Sequence, residues 1–306
     1  MKARLRIGTR GSRLALAQAG WVRRQIEQAH PGLTVEMVTI RTSGDRLLDR
    51  PLSEIGGKGL FVKEIEEALL AGSIDCAVHS LKDLPAELAP GMIVAAVPRR
   101  EDPRDFVLTR QAGGLDALPA GATAGTSSLR RTALLRASWP KLEIVGLRGN
   151  VDTRLRKLEG GEVDAIVLAA AGLRRLGITH PHAVPCDPTD FIPAIGQGSL
   201  ALESRADEVA EQLRAIEDAD SRCATEAERA LLMAVGGSCV TPLAAYATID
   251  DETLTLRALI AQPDGKRVIR GRDVGNRRDA ARIGRTLGER LLAEGGAEIL
   301  RILEGR

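Results

Sequence analysis

Three short segments of the chain combine arginine with hydroxyl or amide side chains just after an apolar run, and this combination could bind anions. They are TRGS at 9–12, TSSLRR at 126–131 and RGNVDTR at 148–154. In each segment the N-terminus of a predicted helix and a planar guanidinium could face one ligand. Neither a P-loop nor a dinucleotide-binding glycine motif occurs, which favours carboxylates over nucleotide phosphates as ligands. The alternative is ordinary helix capping beside solvated arginines.

An acidic residue among basic ones is the second candidate for chemistry. Asp83 follows Lys82 and comes just after the predicted strand Ile74–His79, where open α/β sheets bind their ligands. A carboxylate at this place could stabilise a developing cation or transfer a proton. The other interpretation is a surface turn before Pro85.

Cys239 is the third candidate, since it follows Gly236, Gly237 and Ser238 on a predicted loop. Glycines allow close backbone approach, and nearby arginines would favour a thiolate able to act as a nucleophile or covalent anchor. An inert thiol is the alternative for Cys239, and it is the expectation for the other three cysteines, at 76, 186 and 223. The four histidines and four cysteines match no metal-binding spacing, so no metal is expected.

The elements that position these residues follow an α/β pattern in the first hundred residues. Strands are predicted at Arg4–Gly8, around Leu33–Met37, at Ile74–His79 and at Ile93–Val97. Helices are predicted from Ser12, as N-cap, to about His30 and over Phe61–Leu70. A hinge is expected at 98–104, where two prolines and a run of charges interrupt the pattern.

The same construction repeats after the hinge and then changes. Strands are predicted at Ala122–Gly125, Leu142–Leu147 and Ala165–Ala170, and helices at Leu129–Ala137 and Val151–Leu158. The Gly- and Pro-rich segment 192–199 would return the chain between two lobes. Beyond about Asp218, a helix at Ala224–Val235, strands near Thr253–Ala261 and Arg267–Val274 and a long helix from about Asp279 indicate a small α+β domain.

Composition excludes several classes of protein. The chain has 306 residues, 44% of them apolar, and a formal net charge of +2, which argues against a general nucleic-acid surface. Six aromatic residues are too few for base-stacking platforms. The N-terminus lacks the apolar stretch of a secretory signal, so a cytoplasmic protein is expected. The basic residues are 36 Arg and only 7 Lys. This excess of arginine reflects either codon usage or the binding of carboxylate or phosphate groups by guanidinium.

In chain order, eight motifs together resemble the porphobilinogen deaminase family, also called hydroxymethylbilane synthases. They are IGTRGSRLALAQ at 7–18, GGKGLFVKEIEEALL at 56–70, DCAVHSLKDLP at 75–85, GTSSLRR at 125–131, LRGNVDTRL at 147–155, AAAGLRRLG at 169–177, PAIGQGSLALESR at 193–205 and GGSCVTPLAAYA at 236–247. Gly11 and Arg13 stand where many members have lysine and proline. This difference affects the expected rigidity of that loop rather than the expected activity.

The resemblance implies a transferase of tetrapyrrole (haem) biosynthesis that condenses four porphobilinogen molecules head to tail, releases four ammonia and hydrolyses off hydroxymethylbilane. It implies a covalent dipyrromethane cofactor on Cys239, bound as a thioether, and Asp83 as the catalytic residue. Lys58 and Phe61 match an active-site loop. Positions matching the groups that bind cofactor and substrate carboxylates are Arg10, Ser12, Lys82, Thr126, Ser128, Arg130, Arg131, Arg148, Asn150, Arg154 and Arg175.

The resemblance also implies a monomer of three domains. Two lobes similar to periplasmic binding proteins would span 1–98 with 199–217 and 104–192, and the α+β domain would span 219–306. A two-lobed anion receptor is a competing hypothesis, but it would need a secretion signal and has no use for Cys239 or Asp83. A nucleic-acid-binding protein is another, opposed by the net charge and the few aromatic residues.

Overall fold

The computed structural model describes residues 2–43, 62–237 and 241–304. In chain order its strands are β1 (Arg4–Arg10), β2 (Thr34–Ile40), β3 (Cys76–Ser80), β4 (Met92–Ala96), β5 (Asp105–Thr109), β6 (Thr123–Gly125), β7 (Glu143–Val145), β8 (Ala165–Ala169), β9 (Ala183–Pro185), β10 (Leu200–Arg205), β11 (Leu243–Asp250), β12 (Thr253–Ala261) and β13 (Val268–Asn276). The α-helices are α1 (Arg13–Ala29), α2 (Lys63–Leu70), α3 (Leu129–Ser138), α4 (Val151–Glu159), α5 (Ala170–Arg175), α6 (Glu208–Leu213), α7 (Ala219–Val235), α8 (Ala280–Leu291) and α9 (Ala297–Glu304).

The chain divides into two compact units. The first contains Met1–Glu101 and Gly198–Arg222, and the second contains Asp102–Gln197 and Cys223–Arg306. The chain therefore passes from one unit to the other within the expected hinge at 98–104, again within 192–199, and a third time between Arg222 and Cys223. The division into three domains stays a prediction, because the C-terminal residues group with the second lobe.

Each unit is built on a five-stranded mixed sheet with the same arrangement. The strand order is β2-β1-β3-β10-β4 in the first and β7-β6-β8-β5-β9 in the second. The first three strands of each are parallel, and the fourth runs antiparallel to both of its neighbours. These sheets, with helices packed on them, confirm the α/β lobes expected from the sequence.

Burial of the apolar positions explains why these segments form sheet and helix. Leu5 and Ile7 on β1 are fully buried in one cluster with Val22 and Ile26 of α1. Period-2 alternation in the strand and helical spacing in α1 give each element one apolar face, and the two faces pack together. Each such side chain contributes about 1.5–3 kcal/mol to folding when buried.

The C-terminal part of the second unit is an antiparallel sheet, β11-β12-β13, with its own hydrophobic core. Leu254 and Leu256 of β12 share this core with Leu231 of α7 and Leu287 of α8. Helices α7 and α8 approach closely at Gly284, where an added Cβ would lie 2.1 Å from the carbonyl oxygen of Ala227. This arrangement confirms the expected small α+β fold.

In the C-terminal part of the chain, two elements differ from the sequence-based expectation. Strand β11 was not predicted, because its sequence LAAYATID is rich in alanine, a residue of low strand propensity. Helix α7 begins at Ala219 rather than Ala224, since the Asp218 carboxylate accepts a 2.8 Å hydrogen bond from the Ser221 amide and starts the helix. None of the helices in the described ranges is long and apolar enough to cross a membrane.

Candidate functional site

The candidate residues of the first unit lie at one edge of its sheet. Strands β1 and β3 are parallel neighbours, and they end at Arg10 and Ser80. A short 3-10 turn, Leu81–Asp83, follows β3 directly. Leu81 is buried and Asp83 is exposed, so the turn presents its carboxylate to solvent while its first residue is held in the core. Arg10, Lys82 and Asp83 thus come from the same edge of the sheet.

Ser12 and Gln18 connect this edge to α1. The Ser12 hydroxyl accepts a 3.2 Å hydrogen bond from the Ala15 amide, which confirms Ser12 as the N-cap. Gln18, which is buried, donates a 2.9 Å hydrogen bond from its side-chain amide to the Ser80 hydroxyl. The helix therefore fixes the end of β3 just before the turn that carries Asp83.

The candidate residues of the second unit lie at the corresponding edge of its sheet. Parallel strands β7, β6 and β8 are adjacent, so their carboxyl ends lie side by side. Thr126 and Ser128 follow β6, Arg148 and Asn150 follow β7, and Arg175 ends the helix after β8.

Hydroxyl and amide groups at this edge cap the helices that begin there. The Ser128 hydroxyl accepts from the Arg131 amide at 3.4 Å, and the Asn150 side-chain oxygen accepts from the Thr153 amide at 2.9 Å. Gly149 has a φ of 108°, and an added Cβ would meet Thr153 at 2.6 Å, so the turn before Asn150 requires glycine. A capping hydroxyl or amide still has a donor to offer, so capping and anion binding are compatible.

Arg130 and Arg131 have an internal partner that sequence reasoning missed. The buried Asp105 carboxylate accepts from Arg130 Nη2 at 2.7 Å and from Arg131 Nη2 at 2.6 Å. Arg130 Nη1 donates to the Ile192 carbonyl, and Arg131 Nη1 donates to the Val167 carbonyl. Both arginines are over 90% buried, so this ion-paired network supports the lobe. The only sequence feature that could have indicated this network is Asp105 itself, an acidic residue directly after the expected hinge at 98–104.

The Asp105 network sets the electrostatics of this region. Burial by itself would raise the pKa of Asp105, but Arg130 and Arg131 lower it to about 2. Gln197 adds a 3.0 Å hydrogen bond from its amide to the same carboxylate. With two guanidinium groups and one carboxylate, the network keeps a net positive charge.

Arg154 adds a cation to this edge without a compensating acid. Its Nε donates a 2.8 Å hydrogen bond to the Gly149 carbonyl, and no carboxylate in the described part of the chain pairs with it. Burial, followed by repulsion from Arg131 and Arg148, lowers the pKa of Arg154 to about 10. Arg131 and Arg148 thus disfavour the positive charge of Arg154, and a bound anion would relieve this repulsion.

Cys239, Lys58 and Phe61 lie outside the described residues. The backbone is described as far as Gly237, and it leaves α7 at Gly236, which has a φ of 68°. The Gly236 and Gly237 amides donate to the carbonyls of Met233 and Leu232 at 3.2 and 3.3 Å. This pair of bonds ends the helix in a Schellman motif.

The other three cysteines are poor nucleophiles. Burial raises the pKa values of Cys76 and Cys186 to about 12, and negative charge on Asp75 and Asp105 respectively adds to the effect. Cys223 is also buried, and its thiol donates to the Arg277 carbonyl at 3.2 Å. The expectation that these thiols are inert agrees with their surroundings.

Two protein-family models together match nearly all of this sequence. Residues 5–212 match the family model "Porphobilinogen deaminase, dipyromethane cofactor binding domain". Residues 222–293 match the model "Porphobilinogen deaminase, C-terminal domain". Together the two models include both sheet edges described above.

Curated relatives are similar over almost their whole length. A porphobilinogen deaminase from Syntrophobacter fumaroxidans is 50% identical over 97% of this chain and 96% of its own. One from Roseiflexus sp. (strain RS-1) is 52% identical over 98% of this chain and 99% of its own. Among solved structures, the methionine-binding protein MetQ is 15% identical, covers 72% of this chain and 92% of its own, and has a TM-score of 0.45.

Proposed function

The chain belongs to the porphobilinogen deaminase family, and on this basis we propose that it joins four porphobilinogen molecules head to tail, releases four ammonia and liberates hydroxymethylbilane. It would act as a transferase, because each cycle transfers a pyrrolylmethyl group from ammonia to the end of a growing chain. Family membership is supported by the two domain models and by relatives at about 50% identity.

The cluster of Arg131, Arg148 and Arg154 is the structural observation that best supports this function. Porphobilinogen bears an acetate and a propionate on each pyrrole, so a growing chain brings two carboxylates with every unit added. Arg154 has no acidic partner among the described residues, and burial, followed by its cationic neighbours, disfavours its positive charge. Substrate or cofactor carboxylates would supply the missing negative charge.

The residues at the second unit's edge also fit a dipyrromethane cofactor. That cofactor, when bound, supplies the free pyrrole carbon to which the first substrate is added. We assign its covalent anchor to Cys239, which follows the glycine-capped end of α7 in the sequence. The proposed carboxylate-binding groups are Arg10, Ser12, Lys82, Thr126, Ser128, Arg130, Arg131, Arg148, Asn150, Arg154 and Arg175, with Lys58 and Phe61 in the loop of the active site.

The position of Asp83 supports our proposal that it is the catalytic residue. It is exposed at the end of a 3-10 turn whose first residue is buried, beside Lys82. Loss of ammonia from porphobilinogen leaves a cationic azafulvene. A nearby carboxylate would accept a hydrogen bond from the pyrrole N–H and stabilise that cation. Carbon–carbon bond formation at the methylene carbon of the azafulvene then consumes the cation, and the pyrrole carbon that attacked it loses its proton.

Arg130 and Arg131 would act differently from the other arginines. Asp105 already holds both guanidinium groups, so they would present a fixed positive field rather than freely moving side chains. Such preorganised charge stabilises bound anions without the cost of ordering a side chain at the moment of binding.

Intact-mass measurement of the denatured protein tests the function and the anchor together. We expect the wild type to carry an adduct of two linked pyrrole units and Cys239→Ser to carry none. Cys186→Ser is the matched control and should keep the adduct. A wild type without adduct, even after incubation with porphobilinogen, would overturn the proposal.

Cellular placement and assembly are part of the same proposal. We infer a cytoplasmic monomer from the family resemblance. Sedimentation of the purified protein and fractionation of the source cells would test these two points separately.

A further inference from the structure

Three ionisable side chains meet inside the first unit, on the face of the sheet opposite Gln18. His79 is on β3, Glu203 is on the antiparallel neighbour β10, and Glu66 is on α2, which packs on this face. His79 and Glu203 are less than 9% exposed. None of the three is used in the mechanism above.

The contacts within this cluster leave polar atoms unsatisfied if both acids are ionised. His79 Nε2 lies 2.9 Å from Glu203 Oε2, but the two groups are not aligned for a hydrogen bond, and neither oxygen of Glu203 has an aligned partner within the described ranges. Glu66 Oε1 accepts from the Ala89 amide at 3.0 Å. A buried carboxylate without hydrogen bonds is costly, so the arrangement calls for a donor that the ionised groups lack.

A proton shared between Glu66 and Glu203 would provide that donor. Two carboxylates are both acceptors and can bond each other only when one of them is protonated. Burial raises the pKa of Glu66, and the negative charge of the neighbouring Glu203 raises it further. One shared proton leaves a single negative charge, and the His79 imidazole lies 2.9 Å from the Glu203 carboxylate.

Other charged groups on the surrounding elements are engaged elsewhere or point to solvent. Lys63 and Glu67 of α2 are exposed, and Glu64 binds the Ser43 amide and hydroxyl. Arg205 of β10 donates to the Leu69 carbonyl and pairs with Asp207. Strand β4, which flanks β10, has the sequence MIVAA and carries no charge.

The cluster lies directly before the turn that presents Asp83. His79 and Ser80 are the last two residues of β3; Ser80 is held by Gln18 on one face, and His79 contacts Glu203 on the other. Replacing a buried polar cluster with apolar residues is often neutral or stabilising, so its presence suggests a purpose other than stability.

We propose that Glu66, His79 and Glu203 form a proton-sharing positioning cluster that holds the end of β3 and thereby sets the orientation of the Lys82–Asp83 turn. The inference rests on the proposed function of Asp83. When the shared proton is lost at high pH, the half-buried Glu66 carboxylate and the buried Glu203 carboxylate repel each other, α2 and β10 separate, and the turn loses its fixed orientation. The three residues act through Asp83 and do not touch the substrate.

Steady-state kinetics of the holoenzyme against pH tests this role. Glu66→Gln keeps a donor at every pH, so we expect kcat within about twofold of wild type at neutral pH and an alkaline decline displaced to higher pH. Glu67→Gln, on the exposed face of the same helix, should leave the profile unchanged. His79→Gln should lower kcat at least tenfold with KM unchanged, whereas His30→Gln, which removes a hydrogen bond to the Gln212 carbonyl in the same unit, should not.

Infrared spectroscopy gives a readout that does not depend on turnover. The wild type should show the carbonyl band of a protonated, buried carboxylic acid at neutral pH, and Glu66→Gln should lack it. The proposal would be overturned by a wild-type spectrum without this band. It would also be overturned if Glu66→Gln and His79→Gln had the wild-type pH profile and kcat. If the wild type consumed no porphobilinogen at all, the proposed function would fail while the band would still decide whether the proton is shared.

Discussion

Asp83 owes its proposed role to a contrast between neighbouring residues. Leu81 is anchored in the core, while Asp83, two residues later in the same turn, is exposed beside Lys82. The backbone is therefore fixed and the carboxylate is accessible, which is the combination that a preorganised catalytic group requires.

Removing the Asp83 carboxylate should abolish turnover without unfolding the protein. We expect Asp83→Ala to lower kcat by about 10²- to 10⁴-fold, because the cation formed on loss of ammonia is no longer stabilised. Far-ultraviolet circular dichroism and the melting temperature should match those of the wild type. Glu87→Ala, which removes another exposed acid nearby, is the control. Wild-type product formation by Asp83→Ala would contradict the assignment.

Replacing Arg154 should stabilise the fold and weaken the binding of cofactor or substrate. Its pKa is lowered to about 10, chiefly by burial and then by Arg131 and Arg148, so its positive charge is less favourable in the folded protein than in the unfolded one. Arg154→Met should stabilise the cofactor-free protein by about 1 kcal/mol, while raising KM or preventing cofactor assembly.

Chemical denaturation of the cofactor-free protein and intact-mass measurement would separate the two effects of Arg154→Met. Arg156→Met removes an exposed arginine on the same helix and should change neither quantity. A cofactor-free Arg154→Met protein that is clearly less stable than the wild type would show that this arginine has a structural partner instead.

At the level of elements, the Asp105 network joins helix α3 to strands β5 and β8. Arg130 and Arg131 lie on α3, Asp105 begins β5, and Arg131 also binds the carbonyl of Val167 on β8. Breaking a buried ion pair by removing one partner leaves an uncompensated charge, which costs far more than losing a surface pair.

Asp105→Asn should therefore lower the free energy of unfolding by about 3–5 kcal/mol at neutral pH. The pKa of Asp105 falls from 3.8 to about 2 on folding, so the carboxylate contributes stability above pH 3.8 and loses it as pH falls towards 2. The stability difference between wild type and Asp105→Asn, measured by urea denaturation, should shrink over that interval. Asp279→Asn, which breaks an exposed pair with Arg282, should cost far less, because water and salt screen the two charges. Equal losses in the two variants would contradict a buried network.

Sequence pattern and structure agree best where one helix or strand buries a single apolar face. The prediction of α1, with Ser12 as its cap, is confirmed, because helical spacing and a capping serine are both local signals. Strand β11 shows the opposite case: its alanines carry little intrinsic preference, and it forms because β12 offers a partner along its whole length.

For the whole molecule, charge is nearly balanced but unevenly placed. The net charge is +2, yet Arg131 and Arg148 lie close enough to Arg154 to repel its charge. Attraction of an anionic substrate would therefore come from local clusters rather than from the general field of the protein.

Substrate binding should consequently depend on ionic strength. We expect KM to rise several-fold as salt increases from about 0.05 to 0.5 M, with a smaller change in kcat, because screening weakens the contacts between guanidinium and carboxylate groups. Arg154→Met should show a shallower dependence than Arg156→Met. A KM independent of salt in the wild type would argue against carboxylate recognition by these arginines.

The sequence by itself determined the α/β construction, the motifs of the family and the positions of Asp83 and Cys239 within them. These features depend on residues close together in the chain, where hydrophobic period, capping and motif spacing can be read directly. Tertiary structure alone decided that β10 inserts beside β3, that Asp105 pairs with Arg130 and Arg131, and that His79 meets Glu203 and Glu66. Each of these contacts joins residues at least 13 positions apart, and most join residues far more distant. Local patterns record that a side chain is buried, but only the folded chain brings together the partner that burial requires.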